Sequence, residues 1–259
     1  NELRPRLLRV SLSGAAGTSA VFGDAGPALR AALADALSLA DPGHSWHSTR
    51  DGMAELAGWL TLVAGSLGKL GEDLGLLAQS DTAEVRFGAS GASSTMPQKQ
   101  NPVDASVLVA LSRHVIALNG AMQGAALHRQ QRDGAAWFTE WLSLPAMIMA
   151  VAKGLSLAAE LMETLEPQTD RMAQNLADPL DLIQAEALSF ALAAHMPRPD
   201  AQAIVKTLCL EALESGTPLT ALLARDHPGL NLRPGDPLGT APIEARDFAA
   251  TVSDRLRDA

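Results

Sequence analysis

The chain has 259 residues, 47% of them hydrophobic but only 3% aromatic, with no tyrosine. Its formal net charge of -9 argues against a nucleic-acid partner, because such proteins carry a basic footprint, and any anionic ligand must be held by local cations. An alanine- and leucine-rich core favours close-packed helices over a β-sandwich. The single cysteine, Cys209, excludes an internal disulfide and fits a reducing cytoplasm. No signal peptide stands out, and no apolar run reads as long enough to span a bilayer, so a membrane partner is not expected.

The chain starts at Asn1 and runs straight into Leu3-Arg-Pro-Arg-Leu-Leu, so further sequence is expected upstream. Residues 1–26 read as irregular, with Pro5, Gly23, Gly26 and a Gly14-Ala-Ala-Gly-Thr18 run. That run lacks the lysine and spacing of a phosphate-cradling loop, and its small residues suit close helix packing. Pro27 can open a short helix to about Leu39, and Asp41 to Ser48 reads as a loop. His44 and His47 lie in that loop without a third ligand at metal spacing.

Residues 49–79 carry the clearest periodicity. Met53, Leu56, Leu60, Val63, Leu67, Leu70, Leu74 and Leu77 step by three and four, as in a long helix of a coiled-coil-like bundle. Five glycines on it, Gly58, Gly65, Gly68, Gly71 and Gly75, each cost about 1 kcal/mol against alanine, so neighbouring helices are expected to approach closely there. A second helix is predicted over 102–126, with Val103, Val107, Leu111, Val115, Leu118 and Met122 inward and His114 on or near that face. A third, over 135–165, would place Trp137, Trp141, Leu144, Ile148, Val151, Leu155, Ala158, Met162 and Leu165 on its seam, kinked at Pro145. At ~1.5 Å per residue such helices reach about 45 Å, more than a compact monomer needs, so a bundle shared between subunits is expected.

From Glu166 the helices become short and proline-punctuated: 167–176, 181–195 and 200–215, then a Pro/Gly-rich stretch from Thr217 to Pro242 and a last helix near 243–256. Cys209 lies in an apolar helical pattern and reads as packing. No convincing strand is predicted. The expected architecture is all-α, with a bundle domain over 1–165 and a small helical C-terminal domain over 166–259.

The polar run Gly88 to Pro102 separates the first two long helices. Asn101 is expected as N-cap, Pro102 as the first helical residue, and Asp104 adds negative charge in the first turn. The flexible leader carries Ser93, Ser94 and Lys99. One reading is a helix cap with an irregular leader. The other is a lid over an anionic substrate, in which a nearby ammonium and backbone N–H groups stabilise a serine alkoxide.

The stretch Ser93-Ser-Thr-Met-Pro-Gln-Lys-Gln-Asn-Pro102 resembles the GSS-x-M-P-x-K-x-N-P signature of the fumarase/aspartase superfamily, with Ala92 in place of the usual glycine. His128, Arg132, Trp137, Glu140 and Trp141, followed by Leu144-Pro145, resemble a block of its 3-carboxy-cis,cis-muconate cycloisomerase subgroup, as do the Gly14–Thr18 run and Trp46-His-Ser-Thr-Arg-Asp51. Gln131 stands where that block usually has an acid.

The resemblance implies a long-helix bundle in a homotetramer whose active sites are shared between subunits. It implies a small tricarboxylate substrate closed to a lactone, or opened again, by proton transfer beside a carboxylate. No metal and no organic cofactor is implied. Ser93 would transfer the proton; Ser94, Thr95, Met96, Lys99 and Asn101 would surround and bind substrate. Arg132 would either bind a carboxylate or make a surface ion pair. Trp137, Glu140 and Trp141 would pack behind the site. Two further site regions of the superfamily, one with a Thr-Ser pair and one with a histidine, have no match here, so this chain alone would be inactive. A fumarate-releasing lyase of the adenylosuccinate type, or a non-catalytic helical oligomer, remains the alternative.

Overall fold

The computed structural model describes residues 2–88, 91–92, 100–230, 232 and 238–257. The chain forms two compact units, Asn1–Met172 and Ala173–Ala259. Its architecture is all-α.

The first unit is built on three long helices: α3 (Asp51–Leu77), α4 (Val103–Ala125) and α5 (Gly134–Thr164). The predicted ranges hold to within a residue or two, because the three-four spacing persists along each segment. Before them come α1 (Arg4–Leu7), a 3-10 turn (Ala20–Ala25) and α2 (Gly26–Leu37), in a region the sequence had suggested was irregular up to Gly26. Two small antiparallel pairs close the far end. β1 (Val85–Phe87) pairs with β4 (Leu165–Pro167), and β2 (Gly91–Ala92) pairs with β3 (Gln100–Asn101). Too short to show a period of two, they left no trace in the pattern.

The helices pack around two buried clusters. One joins Ala57, Leu60 and Ala64 to Val115, Met122 and Met147. The other joins Leu74, Val85 and Phe87 to Leu108, Leu157 and Leu161. At two of the five α3 glycines, close approach requires glycine. A Cβ on Gly71 would lie 2.5 Å from the Ala105 carbonyl oxygen and 2.9 Å from Leu108 Cβ, and one on Gly68 would lie 2.6 Å from Ser112 Cβ. Around Gly58, Gly65 and Gly75 an added Cβ meets nothing within 4 Å. Those three lie on the opposite face, beside exposed Trp59, Leu62 and Leu76.

The seam of α5 is only partly the expected one. Val151 and Ala158 face inward as expected, together with Ala136, Glu140, Ser143, Met147, Ala150, Gly154, Leu157 and Leu161, while Trp141, Ile148, Leu155 and Met162 are exposed. The helix has two apolar stripes, and the one that mixes Met147, Val151, Leu157 and Leu161 with small residues makes the close contact within the chain. His114 is exposed rather than on the apolar face of α4. By length and composition α4 and α5 are also apolar enough to cross a bilayer, contrary to the sequence reading. Their apolar character is spread over alanine, glycine and methionine instead of a leucine run. In this chain they lie against each other and α3.

The start of α4 is also shifted. Pro102, not Asn101, is the N-cap, and its carbonyl accepts from Ser106 N at 3.0 Å. Asn101 is drawn into the pairing with Gly91 instead.

The second unit contains the second half of α6 (Thr169–Leu176), then a 3-10 turn (Leu182–Gln184), α7 (Ala185–Ala193), α8 (Arg198–Ser215), α9 (Leu219–Asp226) and α10 (Ala241–Arg257). Its core joins Leu188, Leu192, Val205, Leu208, Leu219 and Leu223. Cys209 packs against this core, and burial pushes its thiol pKa up. Helix α9 lies inside the Pro/Gly-rich stretch from Thr217 to Pro242, where no helix was expected, and Pro218 is its N-cap.

The contact at Gly71 is against backbone and cannot relax by a side-chain rotation. Gly71→Ala should lower unfolding free energy by about 1–3 kcal/mol, read from urea denaturation; a neutral result would show that α3 and α4 are not held at this distance.

Candidate active site

The bundle has two polar ends. At one, β2 and β3 pin the two flanks of the signature loop: Gly91 pairs with Asn101 and Ala92 with Gln100. Ser93, Ser94, Thr95, Met96 and Lys99 lie outside the described residues. Asn101 is half-buried.

The other end gathers residues 9–18, 44–50 and 128–140. Arg50, at the head of α3, forms a buried ion pair with Glu140 of α5, with Nε donating to Oε2 at 2.9 Å and Nη2 to the second oxygen. A buried carboxylate is tolerated because this guanidinium meets it in two places. Trp46 donates its indole N–H to the Val10 carbonyl at 2.8 Å, and the Arg9 and Arg50 guanidinium groups lie over its ring. These contacts fix loop 44–48 against the heads of α3 and α5.

Asp133 starts α5. Its Oδ1 accepts from Ala135 N at 3.0 Å and Ala136 N at 3.2 Å, and its Oδ2 accepts from Arg129 N at 3.0 Å and Nε at 3.1 Å. Hydrogen bonds from the Arg129 side chain and backbone, then from Ala136, hold its carboxyl well below the usual carboxylate range.

Arg132 is exposed. Its Nη2 reaches the Gly14 carbonyl oxygen at 3.4 Å, and its guanidinium lies 5.2 Å from the centre of the Trp137 ring. Among the described residues it makes no ion pair. Trp137 stacks on Trp141 at 6.1 Å and meets His128 edge-on at 6.2 Å. Both His128 ring nitrogens are buried with no hydrogen-bond partner among the described residues.

The Gly14–Thr18 run forms turns and does not mediate helix packing. Gly14 and Gly17 take φ of +69° and +75°, the left-handed region that glycine adopts without strain. Loop 44–48 faces this turn. Ser45 Oγ and His47 Nδ1 are buried, also unpartnered among the described residues. Burial, and then the charges of Arg132 and Arg50, lower the His47 pKa, so its imidazole is neutral at neutral pH. The sequence offered His47 as a metal ligand lacking companions and as part of a stretch resembling the subgroup, but not its loop's proximity to the 14–18 turn, which no spacing rule encodes.

The structure does not bring Asn101 and Arg132 together within one chain. They flank α4, whose 23 residues separate them by about 35 Å at ~1.5 Å per residue.

This all-α bundle of long helices is shared with solved lyase structures. The lyase family model matches residues 1–117. The chain is 41% identical over 228 residues, 87% of its length, to the 3-carboxy-cis,cis-muconate cycloisomerase of Pseudomonas aeruginosa, and covers 50% of that enzyme. It superposes on the 3-carboxy-cis,cis-muconate lactonizing enzyme of Pseudomonas putida with a TM-score of 0.85 at 36% identity, covering 99% of this chain and 59% of the other. A fumarate lyase from Mesorhizobium sp. BNC1 superposes with a TM-score of 0.79 at 34% identity, covering 88% and 51%. The chain therefore belongs to the fumarase/aspartase superfamily. It spans about half the length of the curated relatives it matches.

The depressed Asp133 carboxyl makes a testable contribution to acid stability. A carboxylate whose folded pKa is lowered stabilises the native state above its unfolded pKa of about 3.9. That contribution is lost as pH falls from there toward the lower folded value. Asp133→Asn should therefore flatten the acid limb of a denaturation-midpoint profile while leaving its neutral limb parallel to wild type. An unchanged acid limb would remove Asp133 as its source.

Proposed function

We propose that this chain is part of a 3-carboxy-cis,cis-muconate cycloisomerase, an intramolecular lyase that interconverts carboxymuconate and 4-carboxymuconolactone in the cytoplasmic breakdown of protocatechuate and related aromatic compounds. The observation that carries this reading is the 41% identity over 228 residues to an enzyme of that name.

In ring closure, a substrate carboxylate oxygen adds to a conjugated carbon and the C–O bond forms. The displaced π pair moves onto the carbon beside a second carboxylate, giving an aci-carboxylate. Ser93 then delivers a proton to that carbon, and the reverse sequence opens the lactone. A serine hydroxyl is a weak acid and a weak base, so its alkoxide needs the Lys99 ammonium and backbone N–H groups. Lys99 and Asn101 also bind the carboxylate on which charge accumulates, with Ser94, Thr95 and Met96 around it. Arg132 takes a further carboxylate of the tricarboxylate. A fumarate-releasing lyase is the second reading, favoured by the likeness to the Mesorhizobium enzyme.

Subunit sharing follows from length. Asn101 and Arg132 flank a helix about 35 Å long, so both can meet one small substrate only if two copies run antiparallel. The second apolar stripe supports this. Trp141, Ile148, Leu155 and Met162 recur every seven residues on α5 and are exposed within one chain, the pattern of a bundle seam. A homotetramer with shared sites satisfies both constraints.

The active assembly carrying this chain should convert 3-carboxy-cis,cis-muconate to the lactone and release no fumarate from adenylosuccinate. Ser93→Ala should lower kcat by about 10²- to 10⁴-fold; full turnover by that variant would remove the serine from the proton-transfer role. Separately, Ile148→Asp with Leu155→Asp should shift the sedimentation coefficient to that of a smaller species, and an unaltered coefficient would exclude this stripe from the interface.

A further inference from the structure

We propose that Trp137 is a positioning residue for the reaction: its indole face holds the Arg132 guanidinium so that the N–H groups of that cation are set in place, before substrate arrives, for a substrate carboxylate. This deepens the proposed function and rests on its assignment of Arg132 to a carboxylate of the tricarboxylate.

The start of α5 dictates the pairing. Asp133 is the N-cap and Gly134 the first helical residue, so Arg132 precedes the cap and Trp137 is the fourth residue of the helix. Those two positions meet at helix starts, often as a pair of apolar side chains that fixes how the chain enters the helix. Here one member is a cation. Its guanidinium carbon lies 5.2 Å from the centre of the indole ring, within reach of a cation–π contact. The ring is itself fixed. Trp137 N donates to the Asp133 carbonyl at 3.1 Å, and the indole stacks on Trp141 and meets His128 edge-on. Arg132 also reaches the Gly14 carbonyl, 118 positions away, but at 3.4 Å, long for a hydrogen bond. The restraint on the guanidinium therefore falls mainly on the indole.

What this contact leaves free points to the role. A carboxylate partner occupies N–H donors and offsets the charge, as Glu140 does for Arg50 and Asp133 for Arg129. A ring face does neither: the attraction is to the ring quadrupole, and the donors lie in the guanidinium plane. Arg9, at the same end, also lies over an indole, that of Trp46, and makes no ion pair among the described residues, but its Nε is buried. Arg132 is exposed, so its donors are open to a ligand. A loose arginine side chain loses rotamer freedom when it binds an anion, and one already held loses less. Trp137 thus raises affinity without touching substrate.

The test replaces Trp137, by site-specific incorporation into the active assembly, with a series of increasingly fluorinated tryptophans. Ring fluorines drain the negative face of the indole and nearly preserve its shape. Calorimetry reads affinity for tricarballylate, a saturated tricarboxylate that cannot react, and steady-state kinetics read KM and kcat for 3-carboxy-cis,cis-muconate. Kd and KM should rise along the series by about two- to fivefold in total, with kcat unchanged, the signature of lost uniform binding. The same series at Trp141, which stacks on Trp137 and has no cation over its ring among the described residues, should leave both flat. A Trp137 series that shifts the denaturation midpoint but leaves Kd and KM flat would make the pair a helix staple alone and overturn the proposal, with the cycloisomerase reading left standing. An equal rise at Trp141, or no saturable binding of tricarballylate by wild type, would overturn it as well. A stepwise loss of tricarballylate affinity in an assembly that does not turn over carboxymuconate would overturn the activity and leave Trp137 as the positioning residue of a carboxylate site.

Discussion

The close approach of α3 to α4 sets the geometry on which everything else depends. Gly71 lies against the Ala105 carbonyl and Gly68 against Ser112. Without Cβ atoms at these two points the backbones come near enough for Leu108 to be almost wholly buried between them. Interiors packed at crystal-like density transmit such constraints along the rods. Because the helices are long, the polar groups of this chain are separated into two ends that do not meet in one chain. The same fact makes a shared site the economical reading of the molecule.

At the end that carries Arg132, local electrostatics decide which group is left over. The Arg50–Glu140 pair is buried and joins the head of α3 to α5, while Asp133 is committed to the start of α5 and to Arg129. Glu140 and Asp133 therefore each have a cation. Arg132 is held by a carbonyl and an aromatic face, contacts that orient a guanidinium without neutralising it. A neutral His47 beside it follows from the same field, since two neighbouring guanidinium groups and burial all disfavour the imidazolium.

Much of the fold was legible because long helices advertise themselves through repetition. The three bundle helices and most of the later ones lie where the spacing placed them. The exceptions are instructive. On α5 the spacing placed Trp141, Ile148 and Leu155 on the seam with Val151 and Ala158, yet only the last two are buried, beside Met147, Ala150, Gly154, Leu157 and Leu161, since small residues let helices approach closely but carry little weight in a hydrophobicity pattern. Asn101 carried an N-cap signature, but β-pairing with Gly91 took its backbone first. Helix α9 lies in the Pro/Gly-rich stretch from Thr217, where no helix was expected, with Pro218 as its N-cap. On the site, the signature loop was legible by resemblance alone. The packing of loop 44–48 against the turn at Gly17 was not, since it needs residues 17, 45, 47 and 131 to be adjacent, and no local pattern joins them.

By itself, the sequence determined the class of fold, the run of the long helices and the superfamily, because these are written in periodicity and in one contiguous loop. Only the tertiary structure decided which apolar stripe of α5 turns inward, which of the five α3 glycines are required, and which cation is left unmatched. Those outcomes depend on how helices are rotated about their axes and on contacts between residues far apart in the chain, such as Arg50 with Glu140, 90 positions apart, and Gly14 with Arg132, 118 apart. A repeat of three and four is the same for every rotation of the helix, so the choice among rotations is made by packing and by charge pairing once the chain has folded.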